Sequence, residues 1–338
     1  MMNFKKYMAL ILAATALLAG CKDEEETTPT LSGSVTFDYL PAYVKMGDSF
    51  EISVSGVYKG NGKSASDSLV GYRVYDPIRA VYDTLRHENE NVPATGTFTI
   101  SKDTTGTFTL SVYAFAKGYY GASQTCTFTV VNPSLDTLKG SITGHPLGYD
   151  ATTSFVDARD LSLYYASSLS TGGWMLQNLA WSGAGYPFYD CEAMSYISGR
   201  YYNWDEAMIA CPEGWKLPSD ADFVALAGSG AAGETISGAA GRLKCDASFN
   251  GVHLWTYQNY RITLTNETLF TALPWGYLTV SAGAHSFTSP GESAVFWTCD
   301  QHDADTAFAR YIKLESNDIL VQAMDKKSFY ASVRCIKK

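Results

Sequence analysis

The residues of this chain that could do chemistry are few and scattered. Asp300-Gln301-His302-Asp303-Ala304-Asp305 gathers three carboxylates and an imidazole within six positions. Oxygen-rich loops can hold Ca²⁺, which takes about six to eight oxygen ligands. The spacing matches no EF-hand, so Asp300, Asp303 and Asp305 stand as candidate calcium ligands beside the simpler reading of a solvated loop. Two aromatic clusters could stack on sugar rings: Trp181 and Tyr186 with Phe188 and Tyr189, and Trp275 with Tyr277 inside Leu273-Pro274-Trp275-Gly276-Tyr277. Burial in a core is the competing reading for each, because tryptophan is highly buried on average. Six cysteines follow Cys21, at 126, 191, 211, 245, 299 and 335, and counting alone cannot choose among their pairings.

Signals of catalysis are missing. The chain has no His-Glu-x-x-His, no Gly-x-Ser-x-Gly, no phosphate-binding glycine loop and no Cys-x-x-Cys. Nothing in the sequence beside Cys191 or Cys299 supplies a base or a depressed pKa. The expectation is a protein that binds and does not catalyse.

The N-terminus reads as a processing signal. Lys5 and Lys6 precede a nearly unbroken apolar run from Met8 to Ala19, which as a helix spans only about 18 Å against a hydrocarbon core of about 30 Å. It is a signal-peptide core and not an anchor. Leu18-Ala19-Gly20-Cys21 then resembles the bacterial lipobox, which implies cleavage after residue 20 and a lipid on the Cys21 thiol. Lys22-Asp23-Glu24-Glu25-Glu26 resembles the surface-export signal of lipoproteins in Bacteroides-type bacteria, and with Thr27-Thr28-Pro29-Thr30 it forms a solvated tether over 21–30. Losing Lys5 and Lys6 leaves 23 basic against 34 acidic side chains, a net charge of −11. No Lys/Arg run appears, which argues against nucleic acid as a partner. The expected location is the outer membrane, lipid-anchored and facing outward.

Residues 31–133 read as all-β. Phe50, Ile52 and Val54 alternate with polar residues, as do Val70, Tyr72 and Val74, then Phe108, Leu110 and Val112, then Cys126, Phe128 and Val130. About seven short strands predict an immunoglobulin-like sandwich, with Cys126 a buried thiol. Val131-Asn132-Pro133-Ser134 reads as a hinge to a second unit over 134–338, where all seven tryptophans lie. Two helices are predicted there. One is capped by Asn203, places Trp204, Met208 and Cys211 on one face and stops at Pro212. The other starts at Ser219 with Asp222 in a capping box, carries Phe223, Leu226 and Ala227 on its apolar stripe and ends at Gly228.

Landmarks in order carry a resemblance: Phe155-Val156-Asp157-Ala158-Arg159-Asp160, Trp174-Met175-Leu176-Gln177-Asn178-Leu179, Gly199-Arg200-Tyr201-Tyr202-Asn203-Trp204-Asp205-Glu206-Ala207-Met208, Ala210-Cys211-Pro212-Glu213-Gly214-Trp215-Lys216-Leu217-Pro218-Ser219-Asp220 and Ala331-Ser332-Val333-Arg334-Cys335. From about 155 to 338 the chain resembles the Fibrobacter succinogenes major paralogous domain. The resemblance implies an α+β C-type-lectin-like fold, two helices on a small antiparallel sheet, with a bridge between Cys211 and Cys335 closing the domain. Cys245 with Cys299 is the second expected bridge, which leaves Cys191 over. A formylglycine-generating branch of the wider fold group uses cysteines catalytically, and by that analogy Cys191 or Cys299 would be reactive. The sugar-site motifs of C-type lectins are absent, so calcium-dependent sugar binding does not follow from the fold.

The functional expectation is a surface-displayed, non-catalytic binding or adhesion module for glycan or a host or bacterial surface protein. Its alternative is a structural or tip subunit of a surface assembly.

Overall fold

A computed structural model describes residues 28–59, 70–75, 82–86, 94–132, 138–140, 154–167, 172–255 and 262–338. The expected signal peptide, Cys21, most of the tether, and Pro133 and Ser134 of the expected hinge lie outside the described residues.

Period-two patterning builds the N-terminal part. A three-stranded sheet orders Ser32–Tyr39, Ser49–Tyr58 and Ala94–Ser101; a five-stranded sheet orders Tyr43–Lys45, Ala122–Val131, Gly106–Phe115, Gly71–Tyr75 and Tyr82–Arg86. Ile52, Val54 and Val57 from the first sheet meet Tyr72, Leu110, Val112 and Phe128 from the second in one core. Cys126 is buried in it, and desolvation pushes its thiol up to about 11.

The C-terminal part is also mostly strand. Its main sheet has eight strands, running Tyr186–Pro187, Arg200–Tyr202, Phe329–Ser332, Ser293–Gln301, Thr306–Lys313 and Ile319–Asp325, with the Tyr277–Ser281 and Ala284–Thr288 hairpin paired to Phe329–Ser332. Four short α-helices are described: α1 (Glu192–Ser198), α2 (Trp204–Ala210), α3 (Asp220–Ala227) and α4 (Ala240–Leu243). Both expected caps form, each as a capping box. Asn203 accepts from Glu206 N (2.9 Å) while its own N–H donates to the Glu206 carboxylate (3.0 Å), and Ser219 pairs with Asp222 in the same way. Phe223, Leu226 and Ala227 are buried as expected; on α2 the buried residues are Ala207 and Ala210, and Met208 faces solvent.

The fold class expected from the sequence is corrected by these sheets. The described residues are mostly β in both parts, and the C-terminal part is not an α+β C-type-lectin-like domain of two helices on a small sheet. The longest helix among the described residues has eight residues. Both predicted helices exist, but each ends within about two turns, and most of the length after them goes into strands and turns.

Long loops leave buried carbonyls that need donors, and basic side chains supply them. Lys244, buried, donates to the carbonyls of Lys313 (2.6 Å), Leu314 (3.3 Å) and Ser316 (2.9 Å). Arg334 donates to Asn178 Oδ1 (2.7 Å) and to the carbonyls of Met175, Phe270 and Thr271, its guanidinium lying over the Phe270 and Phe296 rings. Arg310 and Asp220 form a buried pair at 2.5 Å, and Arg310 also donates to Glu234 O (2.7 Å).

Candidate functional site

The two parts meet around Tyr43. Its three-residue strand runs parallel to the Ala122–Val131 strand at the sheet edge and carries the ring to Phe188 (5.2 Å between centroids) and Tyr189 (5.5 Å). The facing turn is unusual. Tyr189 (φ 48°) and Asp190 (φ 56°) are both left-handed, a conformation that costs a bulky residue energy and persists only where its surroundings hold it. Here Phe287 stacks on Tyr189 at 4.7 Å, and Asp190 Oδ1 lies 2.7 Å from His285 Nδ1. The His285 ring packs on Tyr186 at 4.2 Å, and Phe188 meets Trp275 edge to face at 5.5 Å. Burial pushes the Tyr43 hydroxyl up to about 12.

Two openings flank Tyr43. The larger, about 710 Å³, is bordered by Lys45, Asp48, Tyr189, Asp190, Glu192 and His285. The smaller, about 320 Å³, is bordered by Thr107, Thr129, Phe249, Asn250, His253 and Trp275. Each draws residues from both parts of the chain.

The model of the Fibrobacter succinogenes major domain matches residues 162–337, over half of the chain. The chain belongs to this family. No curated protein matches it. Among solved structures, the Yersinia pseudotuberculosis adhesin InvE is 11% identical, over 91% of this chain and 70% of its own, with a TM-score of 0.24. A superoxide reductase (neelaredoxin) from Ignicoccus hospitalis is 15% identical, over 29% of this chain and 80% of its own, at 0.23. A CARDB domain from Pyrococcus furiosus, in complex with di-metal ions, is 16% identical, over 31% and 96%, at 0.24. Likenesses this slight carry no argument.

The family domain brings together some expected site residues and separates others. Tyr186 and Trp275 join the junction cluster, although Trp275 is only 5% exposed and belongs largely to the core, as its competing reading held. Trp181 lies elsewhere, beneath the Arg159 guanidinium (4.3 Å), which is itself paired to Asp157 and donates to Ala210 O. Tyr277 packs on Phe329 (5.0 Å) and Tyr311 (6.1 Å). Neither faces the junction cavities.

Of the candidate calcium ligands Asp300, Asp303 and Asp305, the first two have carboxylates engaged within the protein itself. Asp300 Oδ2 accepts from Asp220 N (2.5 Å) at the start of α3. Asp303 accepts from Asp305 N (2.9 Å) and Thr306 N (2.7 Å), bonds that with the Thr306 hydroxyl hold its carboxyl far below the usual range. Lys326 already supplies the loop with a cation: its ammonium donates to the carbonyls of Asp303 (2.7 Å) and Ala304 (2.9 Å) and lies 4.7 Å above the Trp204 ring. Among the described residues, no three His, Cys, Asp or Glu are placed to hold a metal.

Cys211 and Cys335 are bridged, Cα to Cα 5.9 Å. Cys245 and Cys299 are not joined, a correction with a packing reason. Cys245 is buried with Phe188 and Trp275, whereas Cys299 packs on the separate core of Trp215 and Trp297. Burial raises the pKa of Cys191 and of Cys299, holding each as a thiol at neutral pH.

Tyr43, Asp190, His285 and Asn250 were not singled out in the sequence. Asn250-Gly251 carries a hairpin signal that could have placed its turn. No local pattern announces a left-handed Tyr189-Asp190 pair or the seating of Tyr43.

Proposed function

We propose that this chain is a surface-displayed lipoprotein acting as a non-catalytic binding or adhesion module, with its ligand face at the junction of its two parts. The observation that carries the reading is the aromatic cluster around Tyr43, which leaves two openings lined from both sides. Aromatic walls with a few convergent polar groups are the usual make-up of a ligand site, and glycan is the ligand class that such walls suit. Cys21 carries the lipid and the acidic tether holds the domains away from the membrane. The raised thiols of Cys191 and Cys299 support a non-catalytic role.

The test is a glycan array probed with the full chain carrying Cys21→Ser, with and without EDTA. Binding unchanged by EDTA is expected, because Lys326 fills the acidic loop. Absence of any binding by folded protein overturns the reading. Display is checked separately: labelled fatty acid should enter the wild type and not the Cys21→Ser variant.

A second reading, as accessory or tip subunit of a surface assembly, draws on one feature. Val156 and Leu163 face each other across a hairpin and both are exposed, as are Leu161 (77%) in its turn and Met208 and Ile209 (71%) on α2. Arg159, in that turn, donates to Ala210 O (2.7 Å), which links hairpin to helix. Co-purification with a fibre or outer-membrane complex that is lost on Ile209→Glu supports it.

A further inference from the structure

The smaller junction cleft has chemistry more specific than a general binding face. At about 320 Å³ it sits at the low end of ligand pockets, roughly 300–1,000 Å³, with room for one ring and not for a length of polymer. Trp275, Phe249 and Pro274 give it apolar walls. Thr107 and Thr129, with hydroxyls 3.2 Å apart on neighbouring strands of the N-terminal part, give it a polar edge. Among the described residues, no carboxylate, ammonium or guanidinium lines it. His253, the one titratable imidazole there, is paired with Asp246 Oδ1 at 3.0 Å.

Asn250 adds an independent observation. Phe249 pairs with Val252 across Asn250-Gly251, and both turn residues are left-handed (φ 49° and 79°), as a two-residue type I′ hairpin turn requires. The turn sets Asn250 in the cleft lining, where its Nδ2 is buried and donates to no acceptor. Buried amide donors are nearly always satisfied, and a turn of the Asn250 amide towards the cleft would let it donate to a bound oxygen. Ser293 Oγ is also buried and unpartnered, and the Ser293 carbonyl accepts from Gly276 N, the residue after Trp275.

We propose that this cleft takes one uncharged sugar residue, a neutral hexose or an N-acetylated hexosamine. The ring's apolar face lies toward the Trp275–Phe249 wall, and an oxygen accepts from the Asn250 amide. A uronic acid would bring a carboxylate that no lysine or arginine among the described lining residues meets, at a desolvation cost. The inference rests on the junction being the ligand face, and it makes the N-terminal part a component of the site.

Saturation-transfer NMR on the full chain carrying Cys21→Ser tests it, with methyl galactoside, N-acetylglucosamine and glucuronic acid as probes. At least one neutral sugar is expected to bind and glucuronic acid is not. Thr107→Trp, at an exposed strand position, narrows the mouth; Asn250→Asp keeps a turn-compatible residue and trades the donor for an acceptor. Each is expected to weaken binding about tenfold or more, the equivalent of one lost hydrogen bond. Sugar binding that ignores both substitutions, or that favours glucuronic acid, overturns the cleft assignment while leaving the binding reading standing. Silence towards every saccharide, on the array and by NMR, overturns both.

Discussion

Arg310 and Asp220 show how single residues hold this molecule together. The pair is fully enclosed, and its charges are further satisfied by Glu234 O and Gly233 N. Removing one partner of such a pair strands the other charge without water, which costs roughly 3–5 kcal/mol. Arg310→Ala should therefore lower the urea-unfolding free energy by about that amount, and adding Asp220→Asn should recover part of the loss; a loss below about 1 kcal/mol would show that water reaches the site. Lys326 acts in the same manner at the acidic loop. Lys326→Met removes its charge-assisted bonds to two carbonyls and should cost roughly 1–3 kcal/mol in the same assay. In the sequence the carboxylates of that loop are open both to a solvated loop and to a calcium site. The ammonium is not visible there, because Lys326 is about twenty positions away and arrives only through strand pairing.

At the scale of elements, local signals were read well and their context was not. The capping boxes at Asn203 and Ser219 are short-range facts, and they formed. Asn203→Ala should cost about 1 kcal/mol, seen as a lowered unfolding midpoint with an unchanged m-value. The Cys211–Cys335 bridge, implied by the family's landmarks, ties the end of α2 to the residue before the last strand across 124 positions. Closing so long a loop stabilises by about 4–5 kcal/mol in the chain-entropy model. Cys211→Ser with Cys335→Ser should lose about that much, and a reductant should reproduce the loss in the wild type. The fold class was misjudged for a related reason: short helices leave strong sequence marks, whereas an eight-stranded sheet assembled from distant segments leaves weak ones. Cys245 and Cys299 stay apart for a similar reason: which core each thiol enters is settled by the packing of distant segments.

Across the whole molecule, 23 tyrosines give folding a dependence on alkaline pH. Burial raises Tyr43 to about 12 and pushes Tyr164, Tyr201, Tyr202 and Tyr311 upward as well, all from an ordinary value near 10. The unfolded chain would ionise these groups first. Their contribution is therefore complete below about pH 10 and is lost as pH rises through 12. Absorbance near 295 nm should show some tyrosines ionising reversibly near pH 10 and the rest only with unfolding; one simple transition would show that the buried tyrosines are open to water.

The sequence by itself determined what depends on neighbours along the chain: alternation of apolar residues in the N-terminal strands, two capped helices, the order of landmarks that marks the family, and the cysteine pair those landmarks implied. Tertiary structure decided everything that depends on residues distant in sequence. It placed Tyr43 against Phe188 and Tyr189, drew Tyr186 and Trp275 into one cluster and left Trp181 and Tyr277 outside it. It also filled a candidate metal loop with a lysine. The physical reason is that local backbone preferences act within a few residues, whereas side-chain burial and hydrogen-bond satisfaction are settled only when separate strands pair.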